Sequence, residues 1–169
     1  MVKLVFGIVL ASVLAVAANG PVTVKLTDGK GQSVGTAAIS ENSNGQGVTI
    51  QLNLQNLPPG GHAVHIHSNA KCDGPGFTTA GGHFNPEKKQ HGKDNPMGSH
   101  AGDMDNFTVS SDGTANATVT NSMVNLGTGS NSLVANGGTA LMIHAQADDY
   151  KTDPSGSAGD RIACGTITK

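Results

Sequence analysis

Seven histidines in a 169-residue chain with one tyrosine and no tryptophan are the residues that most need a chemical explanation. His65 and His67 stand two apart in Val64-His65-Ile66-His67. On a strand, such residues project from one face about 6.5–7 Å apart, which lets two imidazoles converge on one ion. His62 is odd-spaced relative to them, faces the other way with Val64 and Ile66, and reads as a packed structural histidine. A His-x-His pair alone is weak evidence, because imidazoles serve equally as solvated or hydrogen-bonded groups. Downstream, however, His83, His91, His100 and Asp103 fall within 21 residues. Three imidazoles and a carboxylate make a four-coordinate N/O set suited to zinc. His144, in a late apolar stretch, is a further imidazole at a buried-type position that could reach the His-x-His pair. An imidazole-rich, thiolate-free set suits copper or zinc and can support cycling between Cu(II) and Cu(I).

The elements that must position these groups read as strands. Val22, Val24 and Leu26 alternate with polar residues up to Asp28-Gly29. Val48, Ile50, Leu52 and Leu54 alternate with Thr49, Gln51, Asn53 and Gln55, the clearest half-buried strand, which ends at Pro58-Pro59-Gly60-Gly61. Phe107 and Val109, then Ala115, Ala117 and Val119, flank Asp112-Gly113 as a hairpin. Leu141 to His144 and Ile162 to Thr168 read as two final strands. No stretch has a capped helical period. The predicted fold is all-β, an eight-stranded Greek-key flattened barrel or immunoglobulin-like sandwich. Two segments, Ser68 to Met104 and Asp148 to Asp160, are rich in Gly, Pro, Asn and Asp and read as long functional loops. A bound ion would give such loops an order that their own cores cannot.

At the N-terminus, Lys3 precedes an apolar run from Leu4 to Ala17, with small residues at Ala15 and Ala17. This predicts a signal peptide at residues 1–17 and a domain at 18–169, because the run is shorter than the roughly 20 residues that cross a bilayer. The protein is accordingly expected to be secreted, periplasmic or extracellular, with no membrane association after cleavage. Export favours joining Cys72 to Cys164, the only two cysteines. A net charge of −2 offers nucleic acid no electrostatic attraction.

Read together, several blocks resemble the copper/zinc superoxide dismutase family. They are His62-Ala63-Val64-His65-Ile66-His67, Gly81-Gly82-His83-Phe84-Asn85-Pro86, His91-Gly92 and His100-Ala101-Gly102-Asp103-Met104, followed by Ile143-His144-Ala145-Gln146-Ala147-Asp148-Asp149 and Gly159-Asp160-Arg161-Ile162-Ala163-Cys164-Gly165. They occur in order from about residue 20 to the end. The resemblance implies one copper ion held by His65, His67, His83 and His144, and one zinc ion held by His83, His91, His100 and Asp103. His83 would be shared as an imidazolate. Asp148 matches a carboxylate linking a copper-ligand histidine, here His65, to a zinc-ligand histidine, here His91. Arg161 matches the active-site arginine, whose permanent charge would attract and orient an anionic diatomic substrate. Cys72 and Cys164 match the family's intrasubunit disulfide.

The implied activity is disproportionation of superoxide to dioxygen and hydrogen peroxide. In the family scheme His83 leaves copper on reduction and takes up a proton, doubling as general acid. Zinc holds the loop and the bridging imidazole rather than substrate. The alternative is a non-enzymatic metal-binding or copper-delivery protein on the same fold. Some features depart from the eukaryotic cytosolic members. The Cys72–His83 stretch is longer, as in the bacterial branch. The His144–Arg161 loop is shorter and carries Asp149, Asp153 and Asp160 against Lys151 alone, so of the family's positive steering only Arg161 carries over. A homodimer is one open option. Asn106-Phe107-Thr108 and Asn116-Ala117-Thr118 are glycosylation sequons, meaningful only in a eukaryotic secretory route.

Overall fold

The structure, a computed structural model, describes residues 20–169. The predicted signal peptide at residues 1–17 lies outside the described residues. Nine strands follow in order: β1 (Val22–Asp28), β2 (Ser33–Glu41), β3 (Val48–Leu54), β4 (Gly60–His62), β5 (Val64–His67), β6 (Phe107–Val109), β7 (Ala115–Asn121), β8 (Thr139–His144) and β9 (Arg161–Ile167). Seven of them form one antiparallel sheet in the order β5-β8-β9-β1-β2-β3-β7. The tight turn at Asp112-Gly113 joins β7 to β6, and β6 pairs with β4. Only Ala63 separates β4 from β5, so the sheet curls back on itself into a Greek-key barrel. Ala63 keeps both backbone bonds, its N–H donating to Gln146 O (2.8 Å) and its carbonyl accepting from His144 N–H (3.0 Å). The break at Ala63 lets one chain segment pair with β6 on one side and β8 on the other. Counted as a single bent strand, it recovers the expected eight.

The inward residues follow the alternation read from the sequence. In β3, Val48, Ile50, Leu52 and Leu54 are buried while Gln51 and Asn53 face out. They pack with Val24, Leu26, Ile39, Ile66, Leu141, Ile143 and Ile167 in one core. β2 was not evident in the sequence. Its inward residues are the modest Val34, Ala37 and Ile39, and Gly35, at φ 124°, crosses so close to the Asn53 carbonyl that a side chain there would overlap it. The irregularity in the β1–β2 register at Leu26/Thr27 further blurs the period-two signal.

β5 and β8 are buried along their whole length, on both faces. Val64, Ile66, Leu141 and Ile143 point into the barrel. The other face is covered by the long loop that follows β5. There Phe77 and Ala80 pack on Ala140, Met142 and Cys164 in a second, smaller cluster joined by Cys72. Cys72 and Cys164 are disulfide-bonded across 92 residues of chain, with Cα atoms 5.6 Å apart. Complete burial of a side chain as large as Phe77 is worth roughly 1.5–3 kcal/mol, so apolar packing and the covalent link together fasten this loop to the barrel wall.

Candidate metal centre

The outer face of β5 carries His65 and His67, and that of β8 carries His144 at its end. In the register, His65 lies opposite Met142 and His67 opposite Ala140, two residues on from each other on both strands. The loop is brought to the same place by backbone bonds to β5. Phe84 N–H donates to Ile66 O (2.7 Å), Ile66 N–H to Gly102 O (2.9 Å), Gly102 N–H to Phe84 O (2.8 Å) and Ser68 N–H to Gly82 O (2.9 Å). These bonds put His83 beside His67, and His100 and Asp103 beside His83. Gly102 has no alternative at this junction, since a Cβ would overlap the Ile66 carbonyl.

Among the described residues three groups of potential ligand atoms result, the atoms of each lying within 4.8 Å of one another. They are His65, His67, His83 and His144; His83, His91, His100 and Asp103; and His65, His91 and Asp148. His62 belongs to none. Its Nδ1 lies 2.8 Å from His144 O and its Nε2 2.8 Å from Pro58 O, so backbone carbonyls occupy both ring nitrogens and the ring is packed away from the other six.

Hydrogen bonds sort the ring nitrogens of the remaining six. Carbonyl and carboxylate oxygens only accept, so the nitrogen facing one carries the hydrogen. His65 Nε2 donates to Asp148 Oδ2 (2.8 Å), His67 Nδ1 to Gly81 O (2.9 Å), and His144 Nδ1 to Gly159 O (3.2 Å). His91 Nε2 donates to Asp148 Oδ1 (3.0 Å). In the first group this leaves His65 Nδ1, His67 Nε2, His83 Nε2 and His144 Nε2 as the free nitrogens. His67 Nε2 and His144 Nε2 face each other at 3.4 Å. His65 Nδ1 and His83 Nε2 are fully buried and have no hydrogen-bond partner. In the second group Asp103 Oδ1 collects His83 Nδ1 (2.8 Å), His91 Nδ1 (3.0 Å) and His100 Nδ1 (3.2 Å). His83 therefore presents one nitrogen to each group.

Electrostatics differ between the two. Burial pushes the His67 imidazole down to about 2 and those of His83 and His144 down to about 4, and it lowers His65 as well. The first group is thus a set of neutral imidazoles, the protonation state that binds metal. His91 behaves oppositely. Its burial disfavours charge, yet hydrogen bonds to Asp103 and Asp148 raise it to about 9. Burial would raise Asp103, but its imidazole donors hold its carboxyl far below the usual range. Asp148 is also held low, by His65, His91 and the Tyr150 N–H. Gly156, at φ 64°, passes so close that a Cβ would overlap Asp148 Oδ1 and crowd His91 Nε2 at 2.6 Å. The backbone itself seals this carboxylate.

The first group opens on a cleft of about 370 Å³ lined by His67, His83, His144, Ser155, Gly159 and Arg161, among others. Arg161, at the start of β9, donates from Nη1 to Phe77 O (2.8 Å) and from Nη2 to Gly81 O (2.7 Å). Gly81 O also accepts from His67, so one carbonyl fixes the guanidinium relative to a member of the first group. The seven implied ligands, with Asp148 and Arg161, are thus brought to one region. Asn106, Tyr150 and Gly156, all in contact with Asp148 or its immediate surroundings, carry no sequence signal for the site. In the sequence Asn106 stands out only as part of a sequon; in the fold its amide nitrogen donates to Asp148 O (2.9 Å). None of the three carries a metal-ligating side chain at a telling spacing.

A sequence model of the family described as copper/zinc superoxide dismutase (SODC) matches residues 33–167. Two proteins of Aquifex aeolicus (strain VF5) named as Cu-Zn superoxide dismutases are similar to the chain. One is 50% identical over 140 residues, covering 82% of each chain, and the other 44% identical over 171 residues, covering 98% of this chain and 99% of the relative. Among solved structures, a superoxide dismutase-like protein from Bacillus subtilis superposes with a TM-score of 0.81 at 39% identity, covering 86% of this chain and 97% of that one. The Cu/Zn superoxide dismutase of Brucella abortus gives 0.69 at 31% identity, covering 87% and 99%. A family match over most of the described barrel, joined to a centre with buried, unpartnered imidazole nitrogens, leads to one conclusion: the chain belongs to the copper/zinc superoxide dismutase family.

Proposed function

We propose that this protein is an exported superoxide dismutase that holds copper on His65, His67, His83 and His144 and zinc on His83, His91, His100 and Asp103. The observation that carries the reading is the pair of buried, partnerless nitrogens, His65 Nδ1 and His83 Nε2. An orphaned buried polar atom costs about 1–3 kcal/mol, so two in one site call for a ligand that satisfies both. The donor sets fit the two metals: four neutral imidazoles suit copper, and three imidazoles with one carboxylate suit zinc.

Bound copper would supply the one-electron cycling by which one superoxide is oxidised to dioxygen and a second is reduced, with uptake of two protons, to hydrogen peroxide. The chain's residues supply the rest. Arg161 holds a fixed positive charge at the cleft and orients the anion toward the first group. His83 Nε2, buried and free of other partners, is the atom on which a proton can be held for delivery to the reduced product. Asp103 Oδ1, which lies 2.8–3.2 Å from Nδ1 of His83, His91 and His100, would join these three nitrogens in holding zinc. Asp148 orients His65 and His91. A signal peptide at residues 1–17, a mature domain at 18–169 and delivery to a periplasmic or extracellular space complete the proposal, and the disulfide accords with an oxidising compartment. A non-enzymatic role on the same fold is not favoured, because all seven implied ligands and Arg161 are present.

Metal analysis of fully loaded protein, followed by a superoxide-decay assay, tests this directly. One copper and one zinc per chain with rapid decay are expected. His83→Ala should sharply weaken copper binding and activity and leave two separated sites. A loaded, folded sample without copper, or a His83→Ala protein with unchanged spectrum and activity, would overturn the reading.

A further inference from the structure

Asp148 is held by more than the two imidazoles it serves. Its N–H donates to Asn106 Oδ1 (2.8 Å) and its carbonyl accepts from Asn106 Nδ2 (2.9 Å), so a single amide side chain grips both backbone groups of one residue. The Tyr150 N–H donates to Asp148 Oδ1 (2.6 Å), the oxygen that also meets His91 Nε2. Tyr150 then folds back over the same segment. Its phenol oxygen accepts the Asn106 N–H (2.9 Å), its carbonyl accepts the Asp94 N–H (3.0 Å), and Lys93 Nζ sits 4.1 Å from its ring centroid. Lys93 is also paired with Asp105, beside Asn106. Tyr150 adopts φ 63°, a left-handed conformation that a bulky residue keeps only where surrounding contacts over-determine it.

We propose that Asn106 and Tyr150 form a clamp on Asp148 that sets the orientation of His65 and His91 together and so couples the two metal groups. The clamp presupposes the two-metal reading above. A carboxylate can transmit geometry between two rings only if its own backbone and rotamer are fixed. With the backbone free to rock, each imidazole would find its own optimum. Here the backbone is fixed by Asn106, Oδ1 is fixed by the Tyr150 N–H, and Gly156 closes the remaining side. The side chains of Asn106 and Tyr150 make no hydrogen bond to any of the seven implied ligands. They are positioning residues acting through Asp148. Partners of this outer kind typically change metal affinity by about 10–100-fold when removed.

The test uses the full mature protein with zinc alone and copper alone as probes. Zinc affinity is read by competition with a chromogenic chelator, and the copper group by its visible absorption and electron paramagnetic resonance spectra. Asn106→Ala should weaken zinc by roughly tenfold or more and shift the copper spectra, although Asn106 hydrogen-bonds to no implied ligand. Asn106→Asp keeps the size but sets an acceptor against Asp148 O, so it should resemble Asn106→Ala; a purely packing role would be rescued by it. Tyr150→Phe keeps the ring and the backbone N–H and should weaken zinc by a smaller factor. Tyr150 is the chain's one tyrosine, and with no tryptophan its emission should respond when zinc is added to metal-free protein. Val119→Ala, in the core, should lower thermal stability without moving zinc affinity. Zinc affinity within about twofold of the parent together with unchanged copper spectra in Asn106→Ala would overturn the clamp, whatever happens to stability. Should that variant fail to fold, unchanged zinc affinity and copper spectra in Tyr150→Phe would overturn it instead. Parent protein that fails to take up two metals would overturn the two-metal reading, a distinct result.

Discussion

Arg161 has two of its N–H donors committed to the carbonyls of Phe77 and Gly81, which leaves the guanidinium fixed in place with donors to spare beside the first histidine group. Its partial burial lowers its proton affinity, but a guanidinium remains charged at any physiological pH. The loop between Asp148 and Asp160 sets Asp149 and Asp153 against Lys151 alone, and the chain's net charge is −2, so on the proposed function attraction of an anion would rest on Arg161 and the bound metals. Arg161→Glu replaces an attractive charge with a repulsive one at the encounter point. The second-order rate of superoxide decay should fall by roughly tenfold to over a hundredfold, about 1–3 kcal/mol, with metal content retained. The parent rate should also fall as ionic strength rises, through screening. Stopped-flow decay against salt checks both. A Glu variant with both metals bound and the parent rate would remove Arg161 from any guiding role.

At the scale of elements, the segment after β5 serves two ends with one piece of chain. Phe77 and Ala80 cover the outer face of β8 and β9, and the backbone on either side supplies the carbonyls that hold Arg161 and His67. The Cys72–Cys164 bond ties that segment to β9, the strand that begins with Arg161. Closing a loop of 92 residues restricts the unfolded chain by about 4–5 kcal/mol in the chain-entropy description. Reduction should therefore lower the denaturant midpoint. It should also slow superoxide decay beyond what metal loss explains, because the anchor of Arg161 loosens. Mass spectrometry of the unreduced exported protein should show the two cysteines joined; free thiols there would count against both the link and the export.

For the whole molecule, the depressed histidines link stability to pH. In the metal-free protein His67 is lowered to about 2 and His83 and His144 to about 4, against about 6.5 in an unfolded chain. Between pH 6.5 and 4 the unfolded chain binds protons that the folded one refuses, so acidification drains stability through that window. His91 has the opposite sign. Raised to about 9, it contributes stability that is full below 6.5 and is lost as pH rises through 9. Asp103 and Asp148, held low, add stability that disappears only in stronger acid, below the unfolded carboxylate range. The metal-free protein should thus be most stable near pH 6.5–7, with melting temperature falling toward pH 4 and, less steeply, toward pH 9. Thermal melts across that range test the sign; stability that is flat or rising from pH 7 to 4.5 would contradict it.

Local chemistry made much of this legible in the amino-acid order. Alternation in Val48–Leu54 marked a strand and its inward face, because side chains on a pleated backbone have a period of two. The same rule put His65 and His67 on one face, and the Gly-, Pro- and Asn-rich runs could only be loops. β2 escaped because its inward residues are small and Gly35 interrupts the pattern, and the bend at Ala63 left no local trace, since it is imposed by two different neighbours, β6 and β8. Which nitrogen of each imidazole is free was likewise beyond the sequence. Tautomers are set by carbonyls and carboxylates distant in the chain, such as Gly81 O for His67, Gly159 O for His144 and Asp148 for His65. Asn106 and Tyr150 were invisible for the same reason: their effect on the site exists only once β6, the loop after His91 and the loop after His144 are folded against one another. Residue types and spacings settled the available chemistry, and the tertiary structure alone decided which atoms face each other, because burial and hydrogen-bond partnership belong to neighbours in space rather than in sequence.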